Sequence, residues 1–322
     1  MMESPEQPTF YFIGVTTGGS LALELFPVWL RTLGLPPAAI LGHDIPVRGP
    51  REAYRAIVRR IREEPAALGA LVTTHKMDIL AAAGDLFDSL DPYAQVFREV
   101  SGIAKRGGEL HGSAKDPFSC GLALEHFLPA GHWREHPAAE ALIMGAGGAG
   151  LALSAYLMRP ENGANRPAGV TLSDVNPGNL ATCREVHARL RRATELRYVQ
   201  LGAGRTNDGL LAGLPPGSLV VNATGLGKDR PGSPLSGEGL FPMDGYAWEF
   251  NYRGELEFLQ QARAQQAERR LVVEDGLVYF IFGWALVIGE VFGRALSAED
   301  RAALCRSTHA ALGSPPDRRP CG

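Results

Sequence analysis

A glycine-rich turn in the middle of the chain constrains its fold more than any other segment. Residues 145–150 read Gly-Ala-Gly-Gly-Ala-Gly, and the apolar run 141–144 leads directly into them. Glycines at the first, third and sixth places allow a tight turn, a close approach of a phosphate to the backbone, and close packing of helix on strand. The apolar residues 151–158 are typical of a buried helix, whose N-terminus favours an anion. The pattern predicts a strand–turn–helix unit that binds a dinucleotide, with a glycine turn that holds no ligand as the alternative.

An aspartate after the next predicted strand indicates which dinucleotide to expect. Residues 169–173 form a β-type run, and Asp174 follows them directly. A carboxylate at this place accepts hydrogen bonds from both ribose hydroxyls of NAD and repels the 2′-phosphate of NADP. We therefore expect NAD to be preferred over NADP.

Strand-like and helix-like segments alternate along the chain, which predicts an α/β fold with two domains. Residues 1–127 are predicted to form an N-terminal α/β domain that binds substrate and carries catalytic groups. Residues 128–275 are predicted to form a Rossmann domain for the cofactor, and residues 276–312 to form helices that return to the first domain. A substrate cleft is expected between the domains. Residues 313–322 are predicted to be a disordered tail, because they are rich in Pro, Arg and Gly.

Composition excludes several classes of function. The formal net charge of −3 gives no broad basic surface for nucleic acid or anionic membrane. No apolar run approaches the ~20 residues needed to cross a bilayer, and the first residues lack a signal-peptide layout. The four cysteines lack metal-type spacing, so we expect no structural metal. These features predict a cytoplasmic monomer or homodimer that acts on a small-molecule substrate.

Lysine is rare in this chain and points to a candidate acid/base group. Of 32 basic residues only Lys76, Lys105, Lys115 and Lys228 are lysine. Because arginine does not lose its proton in proteins, a retained lysine suggests a position that needs an amine able to do so. Lys76 follows the short apolar run 70–73, and a solvated lysine at a strand end is the alternative reading. Lys115 and Lys228 are expected to be solvated.

Six short segments in order, within residues 10–295, resemble the shikimate dehydrogenase family. Residues 69–76 (GALVTTHK) resemble its x-N-V-T-x-P-x-K segment, and residues 112–116 (GSAKD) its G-x-N-T-D segment. The glycine turn matches its G-A-G-G-A loop, and residues 222–224 match an N-A-T strand end. Residues 249–259 resemble its D-x-x-Y-x-P…L segment, and residues 276–293 have the length of its last block.

The resemblance implies a role for particular residues in hydride transfer to or from a nicotinamide cofactor. Lys76 is implied as the general acid/base and Asp116 as its partner, with a turn or helix-cap role as the alternative for Asp116. Ser20, His75 and Tyr252 are candidate substrate residues. The alternatives are a turn-stabilising hydroxyl for Ser20, a structural hydrogen bond for His75 and a packed aromatic ring for Tyr252. The aromatic residues 279–284 are expected to be mainly core. The implied cofactor residues are Gly145, Ala146, Gly147, Gly148, Ala149, Asp174, Asn176, Asn222, Ala223, Thr224 and Gly276.

The departures from the family concern the substrate. Polar substrate positions of the family fall on Ala22, Ala70, Val72, Ala104 and Gly283 in this chain. The sequence therefore predicts an NAD-dependent dehydrogenase for a cyclic polyol or related hydroxy compound other than shikimate. A genuine shikimate or quinate dehydrogenase with re-sited substrate contacts is one alternative. A non-catalytic protein that binds or senses NAD is the other.

Overall fold

The computed structural model describes residues 7–190, 194–202, 204–228 and 230–313. The chain forms two compact units, one of residues 7–115 with 281–313 and one of residues 116–280. Each unit is built on its own six-stranded sheet, covered by helices. The predicted α/β fold class with two domains is confirmed.

The first unit carries a mixed sheet in the order β2-β1-β3-β5-β6-β4. Strand β1 is parallel to both neighbours, whereas β5 is antiparallel to β3 and to β6. Residues 10–13 of β1 are buried, as expected for a central parallel strand covered on both faces. The strands are β1 (Thr9–Gly14), β2 (Ala39–Asp44), β3 (Ala67–Val72), β4 (Ser89–Leu90), β5 (Gly102–Arg106) and β6 (Glu109–Ser113). The helices are α1 (Leu21–Thr32), α2 (Arg51–Glu63), α3 (Lys76–Ala83) and α4 (Pro92–Phe97), with a 3-10 turn at Gly84–Leu86.

The last helix, α13 (Ala298–Ala311), packs against α1 in this unit. Ser297 starts α13 with a capping box, in which its side chain accepts the Asp300 backbone N–H and the Asp300 carboxylate accepts the Ser297 backbone N–H. On the other side, Nε1 of the buried Trp29 donates to Thr308 Oγ1 at 2.8 Å. This contact joins the end of the described chain to its first helix, as the predicted fold required.

The second unit carries an all-parallel sheet in the order β12-β11-β10-β7-β8-β9. The strand order reverses between β7 and β10, and ligands of such sheets bind at the carboxyl ends beside that point. The strands are β7 (Ala141–Met144), β8 (Gly169–Asp174), β9 (Glu195–Gln200), β10 (Leu219–Asn222), β11 (Tyr246–Glu249) and β12 (Val272–Glu274). The helices are α5 (Asp116–Phe127), α6 (His132–Glu135), α7 (Gly148–Leu157), α8 (Pro177–Arg189), α9 (Asp208–Ala212), α10 (Glu257–Ala264) and α11 (Gln266–Arg269), with a 3-10 turn at Pro160–Asn162. Helix α12 (Leu277–Val291) begins here and continues into the residues of the first unit.

The strand–turn–helix predicted at the glycine loop and the strand predicted to end at Asp174 are confirmed. Helix α5 begins at Asp116, because Pro117 is tolerated in a first helical turn. The segment between α5 and β7 contains the short helix α6.

No helix among the described residues is long and apolar enough to cross a membrane. The predicted disordered tail falls almost wholly on residues 314–322, which lie outside the described residues.

Candidate active site

The glycine turn after β7 has the backbone geometry that only glycine permits. Gly145 has a φ of 103°, and a Cβ placed there would lie 2.5 Å from the carbonyl oxygen of Ala223. A Cβ at Gly150 would clash with the Gly145 carbonyl oxygen. A Cβ at Gly147 would instead meet nothing within 4 Å, so this glycine borders open space. The loop therefore packs tightly on its protein side and leaves room on its outer side.

Helix α7 begins at this open side. Its N-cap, Gly147, offers no side-chain hydrogen bond, so the N–H groups of the first turn are not capped by it. Such N–H groups, together with the positive end of the helix dipole, form a site for an anion. The residues at this turn therefore fit the pyrophosphate of a dinucleotide.

Asp174, at the end of β8, is held by three N–H donors. Its Oδ2 accepts the Ala146 backbone N–H at 2.8 Å and Asn179 Nδ2 at 3.0 Å. Its Oδ1 accepts the Asn176 backbone N–H at 2.8 Å. Since an ionised carboxylate offers about four lone-pair sites, Asp174 keeps about one for a ligand unless Asn179 moves. Asn176 itself is the N-cap of α8, with its side chain accepting the Gly178 N–H at 2.9 Å.

A groove of about 380 Å³ runs along the carboxyl ends of the strands of the second unit. The predicted cofactor residues that line it are Gly145, Gly147, Asp174, Ala223 and Thr224. Residues that the sequence reading missed complete it: Ser173, Val175, Asn179, Leu201, Arg205, Thr206, Asn207, Leu226, Arg230, Ser233 and Pro234. Among the missed residues Asn207 is buried, with Oδ1 accepting Ser173 Oγ at 2.5 Å and Nδ2 donating to the Pro234 carbonyl at 3.0 Å. No local pattern singles these residues out, because tertiary packing brings three separate loops together.

The turn after β10 forms one wall of this groove. Asn222 is fully buried, and its Oδ1 accepts the Thr224 backbone N–H at 3.1 Å and Thr224 Oγ1 at 2.7 Å. Thr224 Oγ1 in turn accepts the Leu226 backbone N–H at 3.1 Å. Gly276 lies against the Phe250 carbonyl, close to the same strand ends, where a Cβ would clash.

The two proposed acid/base residues each begin a helix. Lys76 is the half-buried first residue of α3, and its carbonyl oxygen accepts the Val100 N–H at 3.0 Å. Asp116 is the first residue of α5, is 9% exposed, and its carbonyl oxygen accepts Ser119 Oγ at 3.1 Å. Lys115 is not solvated as predicted, because its Nζ forms an ion pair with Glu290 Oε1 at 2.9 Å.

The candidate substrate residues all make contacts of the structural kind. His75 is completely buried, with Nε2 2.7 Å from the Ile45 carbonyl oxygen and Nδ1 3.4 Å from Tyr54 Oη. Ser20 is the N-cap of α1, and its Oγ accepts the Ala22 N–H at 3.3 Å. The Tyr252 ring packs on Phe280 with centroids 4.5 Å apart. The geometry therefore favours the structural alternative for His75 and is compatible with it for Ser20 and Tyr252.

Strand β3 bears on the alignment of the lysine segment. Ala70 and Val72 belong to the apolar core of the first unit, and successive strand residues point to opposite faces. Polar substrate groups do not belong in that core, which favours a second alignment over counting back from Lys76 without a gap. Matching the V-T step instead places the family's asparagine at Leu71 and its threonine at Thr73, whose Oγ1 donates to the Ile13 carbonyl at 3.2 Å. The chain is then one residue shorter than the family pattern between this threonine and Lys76.

Comparisons with known proteins agree with the fold. No family model matches the chain. The shikimate dehydrogenase (NADP(+)) of Streptococcus thermophilus is 30% identical over 182 residues, which are 56% of this chain and 59% of that protein. The match thus spans less than two thirds of that relative. The shikimate dehydrogenase (NADP(+)) of Methylobacterium radiotolerans is 28% identical over 274 residues, which are 84% of this chain and 86% of that protein.

A solved structure extends the similarity to nearly the whole chain. Shikimate 5-dehydrogenase from Thermus thermophilus, in complex with shikimate, superposes with a TM-score of 0.70 at 26% identity and covers 95% of this chain and 99% of its own. The fold is that of the shikimate dehydrogenase-like oxidoreductases. The curated and structural neighbours consistently indicate this family, and this chain is similar to them at low sequence identity.

Proposed function

We propose that this chain is an NAD-dependent oxidoreductase that acts on a secondary alcohol, or the matching ketone, of a cyclic polyol or related hydroxy compound other than shikimate. The observation that carries the proposal is the Asp174 carboxylate, held at the end of β8 where it lines the groove beside the glycine turn. We further propose that the protein is cytoplasmic, that it is a monomer or homodimer, and that its substrate is a small molecule.

The cofactor part of the proposal assigns a task to each side of the groove. Bound NAD would supply the hydride acceptor or donor. The open side of Gly147 and the first turn of α7 would hold the pyrophosphate, and Asp174 the adenosine ribose. The named relatives from Streptococcus and Methylobacterium are NADP enzymes. The carboxylate of Asp174 is the reason to expect the opposite preference here.

The proton part of the proposal rests on Lys76 and Asp116. Removing the hydroxyl proton of an alcohol requires a base placed within hydrogen-bond reach of it. Lys76 would accept this proton at Nζ, and Asp116 would orient the amine and stabilise its protonated form. These roles come from the family resemblance together with the rarity of lysine in this chain.

The substrate part of the proposal rests on missing hydrogen-bonding groups. The family's polar positions fall on apolar residues or glycine at Ala22, Leu71, Ala104 and Gly283. A Cβ at Gly283 would meet nothing within 4 Å. There is therefore room here for the polar side chain of the family, which this chain lacks. Since each buried hydrogen bond contributes about 0.5–1.5 kcal/mol net, four losses would weaken shikimate by about 2–6 kcal/mol.

A genuine shikimate or quinate dehydrogenase is the second candidate, and one residue favours it. The second alignment keeps a threonine hydroxyl at Thr73, at the carboxyl end of β3. If the remaining contacts are re-sited on other residues, shikimate or quinate would be the substrate.

Substrate-dependent reduction of NAD and NADP tests the proposal, with shikimate, quinate and a series of cyclitols as substrates. We expect turnover with a cyclitol or related compound and NAD, and little with shikimate. Strong shikimate turnover would overturn the substrate assignment. Nucleotide binding without turnover of any substrate would favour the non-catalytic alternative.

The Lys76→Met variant tests the proposed acid/base residue. We expect kcat to fall by about 10²–10⁴-fold while NAD affinity is retained, because only the proton transfer is removed. Lys105→Met is the matched control, since Lys105 Nζ donates to the Glu64 carbonyl at 2.6 Å as a structural contact. Equal kcat in the two variants would refute the role of Lys76.

A further inference from the structure

A buried glutamate lies behind the groove, at the end of β11. Glu249 is completely buried, and its carboxylate accepts three N–H groups. Oε2 accepts Asn222 Nδ2 at 2.7 Å, and Oε1 accepts the Asn251 backbone N–H at 2.9 Å and Asn251 Nδ2 at 2.6 Å. No Lys or Arg in the described part of the chain forms an ion pair with it. A buried carboxyl without a cation is costly to maintain, so its retention suggests a task.

Asn222 connects this carboxylate to the groove. Its amide must present Nδ2 to Glu249, and this orientation turns Oδ1 towards the Thr224 N–H and hydroxyl. The same Nδ2 also donates to the Leu226 carbonyl at 3.3 Å, as Asn251 Nδ2 does at 3.1 Å. The ionised carboxylate of Glu249 accepts all three N–H groups that point at it. It therefore fixes the orientation of the side-chain amides of Asn222 and Asn251.

The turn that these amides hold is part of the groove itself. Ala223, Thr224 and Leu226 line it, and the Ala223 carbonyl packs on Gly145 of the glycine turn. A change in the orientation of Asn222 would therefore remove the hydrogen bonds that hold this turn, which is the wall of the groove facing the glycine turn.

Protonation of Glu249 would disturb this arrangement near neutral pH. Burial raises its pKa most, the hydrogen bonds from Asn251 and Asn222 lower it, and the neighbouring Asp275 raises it, which together give a pKa of about 7. Of the charged groups on neighbouring elements, Asp275 acts on Glu249. Glu274 ends the adjacent strand β12 and is paired with Trp248, and Arg230 lies on the groove turn, with Nη2 3.4 Å from the Thr224 carbonyl oxygen. Oε1 accepts two N–H groups, so a proton there would face a donor, and a proton on Oε2 would make it a weaker acceptor for Asn222 Nδ2.

We propose that Glu249 is a positioning residue of the cofactor groove, whose ionised carboxylate fixes Asn222 and thereby the turn 222–226. Nucleotide affinity then follows the ionisation of Glu249. This inference rests on the proposed nucleotide-binding function, and it concerns binding rather than the chemical step.

The test is the dissociation constant of NAD, measured by calorimetry on the full chain at several pH values. If only the ionised form binds well, the fraction competent to bind rises about tenfold between about pH 6 and about pH 8, and Kd falls by about the same factor. Glu249→Gln should bind about tenfold more weakly than wild type at about pH 8 and lose this pH dependence, because an amide cannot accept all three donors. Asp244→Asn is the matched control, since Asp244 precedes the same strand and pairs with Arg270 at the surface.

The outcomes separate this inference from the proposed function. A flat pH profile in wild type, or an unchanged profile in Glu249→Gln, would overturn the role of Glu249 alone. Should Glu249→Gln not fold, the wild-type profile decides by itself. If neither NAD nor NADP binds at any pH, the proposed function fails and this inference fails with it.

Discussion

Replacing Asp174 with asparagine should reverse the cofactor preference of this chain. The wild-type carboxylate accepts the N–H groups of Ala146 and Asn176 and the amide of Asn179 through two different oxygens. Asparagine is neutral and has only one acceptor oxygen, so the ribose hydroxyl of NAD loses its hydrogen bond to a charged group. Such a hydrogen bond contributes about 1.5–3 kcal/mol, so NAD should bind about 10–100-fold more weakly.

The same change should strengthen NADP binding. The 2′-phosphate carries about −1.5 to −2 charges. At about 5 Å, removing the carboxylate charge would relieve about 1–3 kcal/mol per unit charge at effective dielectric constants between those of water and a protein surface. Together with the loss for NAD, the change of about 3–9 kcal/mol should raise the ratio of NADP to NAD affinity by about 10²–10⁶-fold.

Calorimetric titration of wild type and Asp174→Asn with both nucleotides measures this ratio. Asp244→Asn removes one charge from the amino end of the same sheet and should leave the ratio unchanged. An equal loss of affinity for NAD and NADP in Asp174→Asn would refute the reasoning, because it would mean that Asp174 only supports the loop.

Three further predictions test the groove, His75 and the buried carboxyl. Gly145→Ala should destabilise the chain and abolish NAD binding, because its Cβ would meet the Ala223 carbonyl at 2.5 Å and its φ is 103°. Gly147→Ala should keep wild-type stability yet lose NAD affinity. Normal NAD binding by Gly147→Ala would contradict the groove assignment. His75→Leu should lower the free energy of unfolding by about 1–3 kcal/mol, since the Ile45 carbonyl loses a buried donor; a higher KM at unchanged stability would instead indicate substrate contact. For Glu249, the folded state holds more protons than the unfolded state between the ordinary pKa of 4.5 and about 7. The free energy of unfolding of wild type, relative to Glu249→Gln, should fall by about 3 kcal/mol as pH rises through that window in denaturant titrations; equal slopes would show that the carboxyl is not perturbed.

Local patterns of the sequence predict the centre of the second unit well. The glycine turn, β7, α7 and the strand ending at Asp174 are each specified by residues close in sequence. The far wall of the groove could not be predicted in this way. Asn207, Arg230 and Pro234 have ordinary neighbours in sequence, and only the fold brings them opposite the glycine turn.

The first unit shows a second limit of sequence reasoning. Counting from Lys76 assigned polar family positions to Ala70 and Val72, whereas the pleat of β3 places both in the core. A shift of one residue exchanges the two faces of a strand, so Thr73 came into consideration only once the faces of β3 were known. The role of Glu249 could not be predicted, because it depends on burial and on a hydrogen bond from Asn222. These two residues lie on β10 and β11, which are neighbours in the sheet but distant in sequence.

The ratio of kcat/KM for NAD to that for NADP, measured on wild type with the best substrate of the series, tests the central claim most directly. The presence of Asp174 and the repulsion it exerts on a 2′-phosphate predict a ratio of at least about 10² in favour of NAD. A preference for NADP would contradict the account, because the groove would then accept the 2′-phosphate despite that carboxylate.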